Sequence, residues 1–508
     1  MFDSAEITHT LIEWKRRSKP GLLFVGLVYF LLIFILNVFR FYDNYNFHDL
    51  YIFENSFWNT LRGRFFWNFY EFGNHLGVHF SPGLIIPLIF YSIVQHPLTL
   101  IFVQTLAITF SVLVVYALSE RVISDAPASF LFSIAYLLYP ATIGTAFSGF
   151  HEAPFVILPI FLLFLAIESE KERLFWVTFA FCLIWKETYA LIFLFFGLAL
   201  VFNAKTRRKG WLLMIFSFMW LIWTLFIIMP LIRGTPFSEG VMKYRFPVEI
   251  GHTPIEIISN FFKNPGIFFE HAFQKEKIFY ILKLIIPLAL IPILSPLLLL
   301  PVLPQLAQNL LSRHMFGISL MKHYSAPMIP FLFYAFIKSA GKLAPVASKW
   351  KIRPAILLRI TGWLIIFLCI ITIFNSGLFP RIFLGKRSPA EQIHELTEEE
   401  LKIARDMGVQ VPEDASLAVS GHLAKYFARR KVISYVNRGF LELYPFDYIL
   451  YFPRSPRHDL LQRYPSLKKM INEHYDILDQ RRGFFLYKRR EGAPMNADQR
   501  QILEAVPE

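Results

Sequence analysis

Long hydrophobic runs separated by short polar segments fill the first three-quarters of the chain. The first run, Gly21–Phe39, is long enough for a helix to cross the hydrocarbon core of a bilayer. Further candidate spans follow at 83–95, 98–118, 128–148, 153–167, 174–185, 188–202, 211–231, 278–310, 326–338 and 355–378. Several are short or contain proline, and 278–310 has room for two short helices. The pattern therefore predicts roughly ten to thirteen transmembrane helices.

The polar segment 41–82 interrupts this pattern after the first span. Between Phe47 and Leu61 the apolar residues recur every three or four positions, which predicts an amphipathic helix. Its other face carries His48, Asn55, Asn59 and Arg62. A helix of this kind between two spans is expected to lie at the membrane surface with its polar side turned toward water. The segment is either a solvated interfacial loop or the active-site loop of a membrane enzyme.

The pattern changes again after the last span. Residues 1–380 are predicted to form the transmembrane domain, and 385–490 a small α/β domain. The strands expected in that domain are 416–420, 432–436 and 447–452, its helices are 422–430 and 460–473, and 475–487 is a hairpin. The tail, 491–508, is expected to be disordered.

Composition supports the membrane assignment. Of the 508 residues, 55% are hydrophobic and 17% are charged, a balance that excludes a soluble fold. We therefore expect an all-α polytopic membrane protein with a small C-terminal α/β domain. The net charge of +14 is concentrated beside the spans, at 14–19, 204–209 and 338–353. Such clusters are typical of cytoplasmic loops and of contact with anionic lipids, so membrane lipid is an expected partner and nucleic acid is not.

The same charges predict the topology. Basic residues in 1–20 place the N-terminus in the cytoplasm, and the absence of a small-residue cleavage site makes Gly21–Phe39 a retained span. Segment 41–82 is then external, and the C-terminal domain is extracytoplasmic. The two cysteines, Cys182 and Cys369, lie in apolar segments and predict neither a disulfide framework nor a metal site.

Ionisable residues in or beside apolar segments are the candidate binding groups, because their burial is costly without a function. The substrate-binding candidates are His79, His151, Glu152, Lys186, Glu187, Arg313, His323 and Tyr324. Lys186 and Glu187 stand between two apolar runs. They are either a structural ion pair or a phosphate-binding site, and adjacent residues do not face each other on a helix.

Asp49 and Glu54 are the candidate catalytic carboxylates. Either would serve as a general base, or would hold a divalent cation against a phosphate. Five positions on an ideal helix turn through about 500°, so the two side chains point roughly 140° apart. This argues against a shared ion. Asp49 is favoured as the base because it comes earlier in the helix, beside His48, and metal dependence stays open.

Six stretches together resemble a known family. They read FHDLYIFENSFWNTLRGRFF, NHLGVHFSP, AYLLYPATIGTAFSGFHEAPF, WKETYAL, KHYSAPMIPFLFYAF and VPEDASLAVSGHLAKYFARR. The series is similar to the prokaryotic polytopic membrane proteins of domain of unknown function 2079, from about residue 40 to about 490. In that family the helix usually reads Asp-Leu-Gly and then Asp-Gln. Here Tyr51 follows Asp49-Leu50, and Glu54-Asn55 replace Asp-Gln.

The family is grouped with the GT-C membrane glycosyltransferases, which use an acidic residue of the first external loop. The resemblance implies a GT-C-like fold in a prokaryotic cytoplasmic membrane and transfer of a sugar from a polyprenyl-phosphate-linked donor to an unknown acceptor. On this reading Asp49 is catalytic and Glu54 assists.

Two other classes of protein fit the same features. Proline-broken segments and intramembrane charges also suit a transporter or lipid flippase, although the chain shows no repeated halves and devotes about forty residues to the polar loop. A non-catalytic membrane assembly protein would use 385–490 to bind its partner.

Overall fold

The structure is a computed structural model that describes residues 4–42, 48–234, 245–349, 351–384, 396–453, 459–504 and 506. Packing divides the chain into two compact units. The first, which we call the membrane unit, comprises Met1–Asn37, Leu76–Pro87 and Leu100–Lys386. The second, the C-terminal unit, comprises Val38–His75, Leu88–Thr99 and Arg387–Glu508. The predicted loop 41–82 therefore belongs largely with the C-terminal residues.

Helices account for most of the described chain up to residue 384. Their bounds are Ser4–Tyr42, His48–Thr60, His75–Val78, Ile85–Ile93, Pro97–Ile123, Ala126–Leu138, Pro140–Ala146, Ile157–Glu168, Glu172–Leu183, Tyr189–Val201, Arg207–Trp223, Met229–Arg233, Pro254–Lys263, Pro265–Ala272, Lys275–Ile285, Val302–Leu311, Ile329–Lys349, Pro354–Asn375 and Leu378–Ile382. The chain is thus mostly helical, as predicted.

Four of the described helices are long and apolar enough to cross a bilayer: Ser18–Tyr42, Pro97–Ile123, Arg207–Arg233 and Pro354–Asn375. Ala126–Leu138 and Pro140–Ala146 form a fifth if the pair, bent by 49°, is counted as one span. Three of the other predicted spans correspond to shorter apolar helices, at Pro82–Ile93, Ala153–Glu168 and Tyr189–Val201. Proline and the polar candidate residues interrupt them, since a proline provides no N–H for the helical ladder.

The proline-rich part of 278–310 is irregular over 286–299. It consists of 3-10 turns at Ile286–Leu288, Ile291–Leu294 and Pro296–Leu299. Ser295 lies buried within this stretch, and its hydroxyl bonds Ser339 Oγ at 2.8 Å. The broken backbone therefore lies against the helix Ile329–Lys349 instead of forming two regular spans, which agrees with the tolerance of such breaks where protein covers them.

The C-terminal unit contains a five-stranded sheet. Two short strands within the first loop, β1 (Trp67–Asn68) and β2 (Gly73–Asn74), form a separate antiparallel pair. The sheet strands are β3 (Leu417–Val419), β4 (Ile433–Tyr435), β5 (Tyr448–Tyr451), β6 (Tyr475–Arg481) and β7 (Phe484–Arg489). Their order is β4-β3-β5-β7-β6, with β3 parallel to both neighbours and β7 antiparallel to both of its own. The predicted strands and the hairpin are confirmed.

Helices surround this sheet, and two of them differ from expectation. Their bounds are Glu398–Val409, Ala424–Phe427, Arg438–Leu443, Leu460–Arg463, Pro465–His474 and Ala497–Glu504. The predicted helix 422–430 is reduced to a short turn of helix. The tail expected to be disordered contains the helix Ala497–Glu504, because Ile502 and Val506 pack against the hydrophobic core of the unit.

The amphipathic helix of the first loop is present as His48–Thr60, but its predicted orientation toward water is wrong. Asn55 and Asn59 are fully buried. The Asn55 amide donates hydrogen bonds to the carbonyls of Ala428 at 2.7 Å and Arg430 at 2.8 Å. These bonds compensate the burial of the amide, so the polar face serves to bind the α/β domain.

Candidate functional site

A buried cluster of ionisable side chains lies in the membrane unit. It is contributed by segments far apart in sequence: 79–80, 151–152, 186–187 and 323–324. Apart from Phe80, all of these positions were predicted from the sequence. The structure brings them together through two carboxylates, each of which contacts a basic side chain from another segment.

Glu152 is the most buried member of the cluster, with no exposed surface. The Lys186 ammonium donates a hydrogen bond to its Oε1 at 2.7 Å. His151 Nδ1 lies 2.7 Å from Oε2. A buried carboxylate is costly unless it is paired, so Glu152 depends on these two neighbours.

Two hydrogen bonds from Gln104, on another helix, hold the loop that carries His151 in position. Gln104 is fully buried in the helix Pro97–Ile123. Its amide nitrogen donates to the Gly149 carbonyl at 2.6 Å, and its amide oxygen accepts the His151 N–H at 2.8 Å. Gln104 was not predicted from the sequence, where it is one polar position inside a long apolar run.

Glu187 forms the second carboxylate contact. His79 Nδ1 lies 3.2 Å from its Oε1, and the Phe80 N–H donates to its Oε2 at 3.0 Å. Lys186 and Glu187 lie between the helices Glu172–Leu183 and Tyr189–Val201, where the backbone is not regular. The two side chains therefore have separate partners, and they do not form an ion pair with each other.

His323 adds a second imidazole beside His151. The two rings stack with centroids 3.4 Å apart and planes 15° apart. His323 is buried, and its Nδ1 has no hydrogen-bond partner within the part of the chain that the structure describes. Ring nitrogens of the two residues lie within 4.8 Å of each other. Imidazole is a ligand that transition metals accept more readily than magnesium does.

The segment before His323 packs tightly on the helix Pro140–Ala146. A Cβ placed on Gly144 would lie 1.7 Å from the Leu320 carbonyl oxygen, well inside any tolerated contact. Only glycine allows the two backbones to approach this closely. The segment before His323 can therefore occupy its observed position only if residue 144 is glycine.

Arg245 is a further cationic neighbour, and it was not predicted from the sequence. Its guanidinium carbon lies 5.8 Å from the centre of the Tyr324 ring. Burial lowers the pKa of Arg245, while Tyr324 and Glu187 oppose that shift, and a guanidinium stays charged in either case. The predicted site residue Arg313 is exposed, and its backbone N–H donates to the Arg245 carbonyl at 3.0 Å. The only sequence feature that could have identified Arg245 as a site residue is that it is a basic residue in loop 232–277.

The two candidate catalytic carboxylates lie in the C-terminal unit and have different surroundings. Asp49 is half-buried in the first turn of the helix His48–Thr60. It is one of the groups that raise the pKa of the buried Tyr435, after burial itself and Tyr70.

Glu54, in contrast, is almost fully buried and paired. The Arg429 Nε donates to its Oε1 at 2.9 Å, and the Tyr91 hydroxyl lies 3.5 Å from the same oxygen. Burial raises the pKa of Glu54 to about 7 even though Arg429 lowers it. Asp49 and Glu54 therefore do not share one site within this unit. This agrees with their angular separation on the helix, which argued against a shared ion.

Comparison with known proteins places the chain in a family. Residues 42–486 match the predicted membrane proteins of DUF2079. The chain belongs to the DUF2079 family. This confirms the resemblance drawn from the six sequence stretches, and with the apolar helices it makes the DUF2079 protein an integral membrane protein. The family description gives no activity, and no curated protein matches the sequence.

A solved structure of another protein aligns with almost the whole DUF2079 chain. It is the crystal structure of ArnT from Cupriavidus metallidurans bound to undecaprenyl phosphate. The TM-score is 0.49 at 10% sequence identity, over 94% of this chain and 99% of that chain.

Proposed function

We propose that this DUF2079 protein is a GT-C-like membrane glycosyltransferase that takes its sugar from a polyprenyl-phosphate-linked donor at the extracytoplasmic face. The observation that carries the proposal is the buried contact of Lys186 with Glu152, beside His151. Buried charges in a membrane protein mark substrate sites more often than they stabilise the fold. Here they are grouped, and they include both a cation for a phosphate, Lys186, and a carboxylate that holds that cation, Glu152.

Lys186 is the proposed ligand of the donor phosphate. Lysine binds phosphate as a compact point charge, and Glu152 holds the ammonium in place at 2.7 Å. Because the ammonium is already desolvated and oriented, it loses little entropy when the donor arrives. His79 and Glu187, His323 and Tyr324, and Arg245 would then contact the rest of the donor headgroup.

Asp49 is the proposed general base. The acceptor hydroxyl oxygen forms a bond to the anomeric carbon, and its proton passes to the Asp49 carboxylate. The bond from the anomeric carbon to the phosphate oxygen breaks, and its electrons leave with polyprenyl phosphate. The charge that develops on this leaving group is what Lys186 would stabilise. Displacement in one step inverts the anomeric centre.

Glu54 takes a different part in this proposal from the one suggested by the sequence. Its ion pair with Arg429 at 2.9 Å joins the first-loop helix to the α/β domain. We therefore assign Glu54 to holding that helix in position. A divalent cation on His151 and His323 would add Lewis-acid stabilisation of a phosphate, and a chelator titration of the activity tests that hypothesis.

The test of the catalytic assignment compares the wild type with Asp49→Asn. The full-length protein is placed in liposomes with a polyprenyl-phosphate-linked sugar labelled in the sugar, and native membranes supply the acceptor. Loss of a general base costs about 100- to 10,000-fold in rate, so sugar transfer should fall by that order. Asp476→Asn is the matched control, because Asp476 is exposed and pairs with Arg490 on the surface of the same unit.

Transfer by Asp49→Asn at the wild-type rate would remove Asp49 from the mechanism. Movement of the labelled lipid across the bilayer by the wild type without any sugar transfer would instead favour the lipid-flippase reading.

A further inference from the structure

A separate cavity of about 420 Å³ lies wholly within the C-terminal unit. Three arginines line it: Arg405, Arg429 and Arg430. Its size falls in the range of small-molecule pockets. None of its lining residues belongs to the ionisable cluster of the membrane unit.

The arginines of this cavity carry more positive charge than their partners neutralise. Arg430 is 8% exposed, and its guanidinium donates to two neutral carbonyls, those of Val411 and Pro412. Arg405 lies with its guanidinium carbon 5.5 Å from the Tyr426 ring centre. Glu413 also lies in the cavity wall and, with Asp414, opposes the lowering of the Arg430 pKa by burial. Among the described residues, however, no carboxylate lies within ion-pair distance of Arg405 or Arg430, so the three arginines outnumber the two glutamates of the wall.

Arg429 is the one arginine of the three with a carboxylate partner, Glu54, among the described residues. The Arg429 side chain is nevertheless 43% exposed, so part of its guanidinium remains open to a ligand. Burial raises the pKa of Glu54 to about 7, which weakens the negative charge that faces Arg429 near neutral pH. Buried cations that are incompletely neutralised are costly, and an anion in the cavity would offset that cost.

The chain places this cavity at a membrane boundary. Phe41 and Tyr42, both in its wall, are the last residues of the span Ser18–Tyr42. Pro97, also in the wall, is the first residue of the span Pro97–Ile123. Two candidate spans thus begin or end in the cavity wall, and the end of a membrane-spanning helix is expected to meet the lipid headgroups.

His96 supplies a further donor at the same place. Its Nδ1 accepts the Leu98 N–H at 3.2 Å. Burial, and then Arg429, lowers the pKa of His96, so the ring is neutral and its proton is on Nε2. A neutral donor in the wall of a cavity that three guanidinium groups also line suits an oxyanion.

We propose that this cavity binds the phosphate of an anionic lipid headgroup from the surrounding bilayer. A guanidinium group can donate two parallel hydrogen bonds to two oxygens of one phosphate. The aromatic residues of the cavity wall, such as Phe41 and Tyr42, would contact the glycerol and the first part of the acyl chains. This inference is independent of the proposed glycosyl transfer, because no residue of the cavity wall is assigned to contact the donor or the acceptor in that reaction.

The experiment measures thermal unfolding of the full-length protein in a neutral detergent. Short-chain phosphatidylglycerol, short-chain phosphatidylcholine and glycerol 3-phosphate are titrated separately. A ligand that binds the folded state raises the Tm in proportion to the logarithm of its concentration above Kd. We expect phosphatidylglycerol to raise the Tm at concentrations where phosphatidylcholine has no effect.

The variant that tests the site is Arg405→Gln, which removes one guanidinium without breaking an ion pair. It should weaken binding of phosphatidylglycerol about tenfold or more, the size of one charged hydrogen bond. Arg405→Lys should recover part of the affinity. Arg438→Gln is the control, because Arg438 is an exposed arginine of the same unit that pairs with Glu442.

The outcomes separate the sources of phosphate. An equal effect of glycerol 3-phosphate, lost in Arg405→Gln, supports a phosphate site filled by a soluble anion. An effect of phosphatidylglycerol alone supports the lipid. Equal shifts with phosphatidylglycerol and phosphatidylcholine, or unchanged binding by Arg405→Gln, would overturn the proposal.

Discussion

The Lys186 ammonium lies 2.7 Å from a carboxylate oxygen of Glu152, 34 positions earlier in the chain. Lys186 is followed directly by a glutamate, yet the structure pairs it with the more distant one. The buried Glu152 and the 12% exposed Lys186 thereby connect two loops of the membrane unit. The contact orients the one lysine that we assign to a phosphate, and it can be tested without knowledge of the substrate.

A double-mutant cycle on Glu152→Gln and Lys186→Gln should show strong coupling. Removing one partner leaves a buried charge behind, which typically costs about 3–5 kcal/mol of unfolding free energy, while removing both partners costs less than the sum. Chemical denaturation in mixed micelles measures the unfolding free energy of the wild type, the two single variants and the double variant. We expect a coupling energy above about 1 kcal/mol.

The control cycle is Glu172→Gln with Lys209→Gln, a pair in the same unit at 2.6 Å whose side chains are 54% and 24% exposed. Exposed pairs contribute about 0–1 kcal/mol. Equal coupling energies in the two cycles would show that the Lys186–Glu152 pair is not energetically distinct.

Gly144→Ala should disrupt the segment that carries His323. The new Cβ would meet the Leu320 carbonyl oxygen at 1.7 Å, so one backbone must move. Overpacking of this kind costs about 1–3 kcal/mol or more. The Tm of the purified protein reports the loss, and Gly26→Ala is the control because its nearest contact would be an ordinary 3.5 Å. Equal Tm values for the two variants would contradict the close approach.

Glu54→Gln should change how stability depends on pH. The folded-state pKa of Glu54 is raised to about 7 from an ordinary value of 4.5. The folded protein therefore binds this proton more tightly than the unfolded chain does, and stability from Glu54 falls as pH rises from about 4.5 to about 7. A tenfold difference in proton affinity corresponds to about 1.4 kcal/mol, so a pKa raised from 4.5 to about 7 changes the unfolding free energy by about 3 to 4 kcal/mol in total.

The measurement is the Tm of the wild type and of Glu54→Gln from about pH 5.5 to about pH 8.5, a window that covers the upper part of this titration. The wild type should lose stability relative to the variant as pH rises, since glutamine has no proton to release. Parallel pH curves for the two proteins would show that Glu54 titrates as an exposed glutamate does.

The parts of the fold that depend on local sequence could be predicted. Hydrophobic runs indicated the positions of the apolar helices, and alternating residues with a turn indicated the hairpin 475–487, because both signals are contained in short windows. The candidate residues at 79, 151–152, 186–187 and 323 were found for a similar reason. A charge beside an apolar run is visible without knowledge of its partner.

The partners themselves could not be predicted. Asn55 reads as a solvated residue on an amphipathic helix, but it bonds two carbonyls more than 370 positions later in the chain. Arg429 in the α/β domain likewise determines the surroundings of Glu54. Contacts of this range depend on tertiary packing, which no periodicity in a single sequence encodes. The same holds for Gln104 and Arg245, whose roles follow from what folds next to them.

Whether Lys186 binds the departing phosphate is tested most directly by measuring the rate at which polyprenyl phosphate is released. The wild type and Lys186→Gln are placed in identical liposomes with a panel of polyprenyl-phosphate-linked sugars, and native membranes supply the acceptor. We expect release by the wild type and a rate about 100-fold lower in Lys186→Gln, with partial recovery in Lys186→Arg. Lys338→Gln, which removes a partly exposed lysine paired with Glu168, should behave as wild type. Release at the same rate by wild type and Lys186→Gln would contradict the claim that Lys186 binds the departing phosphate.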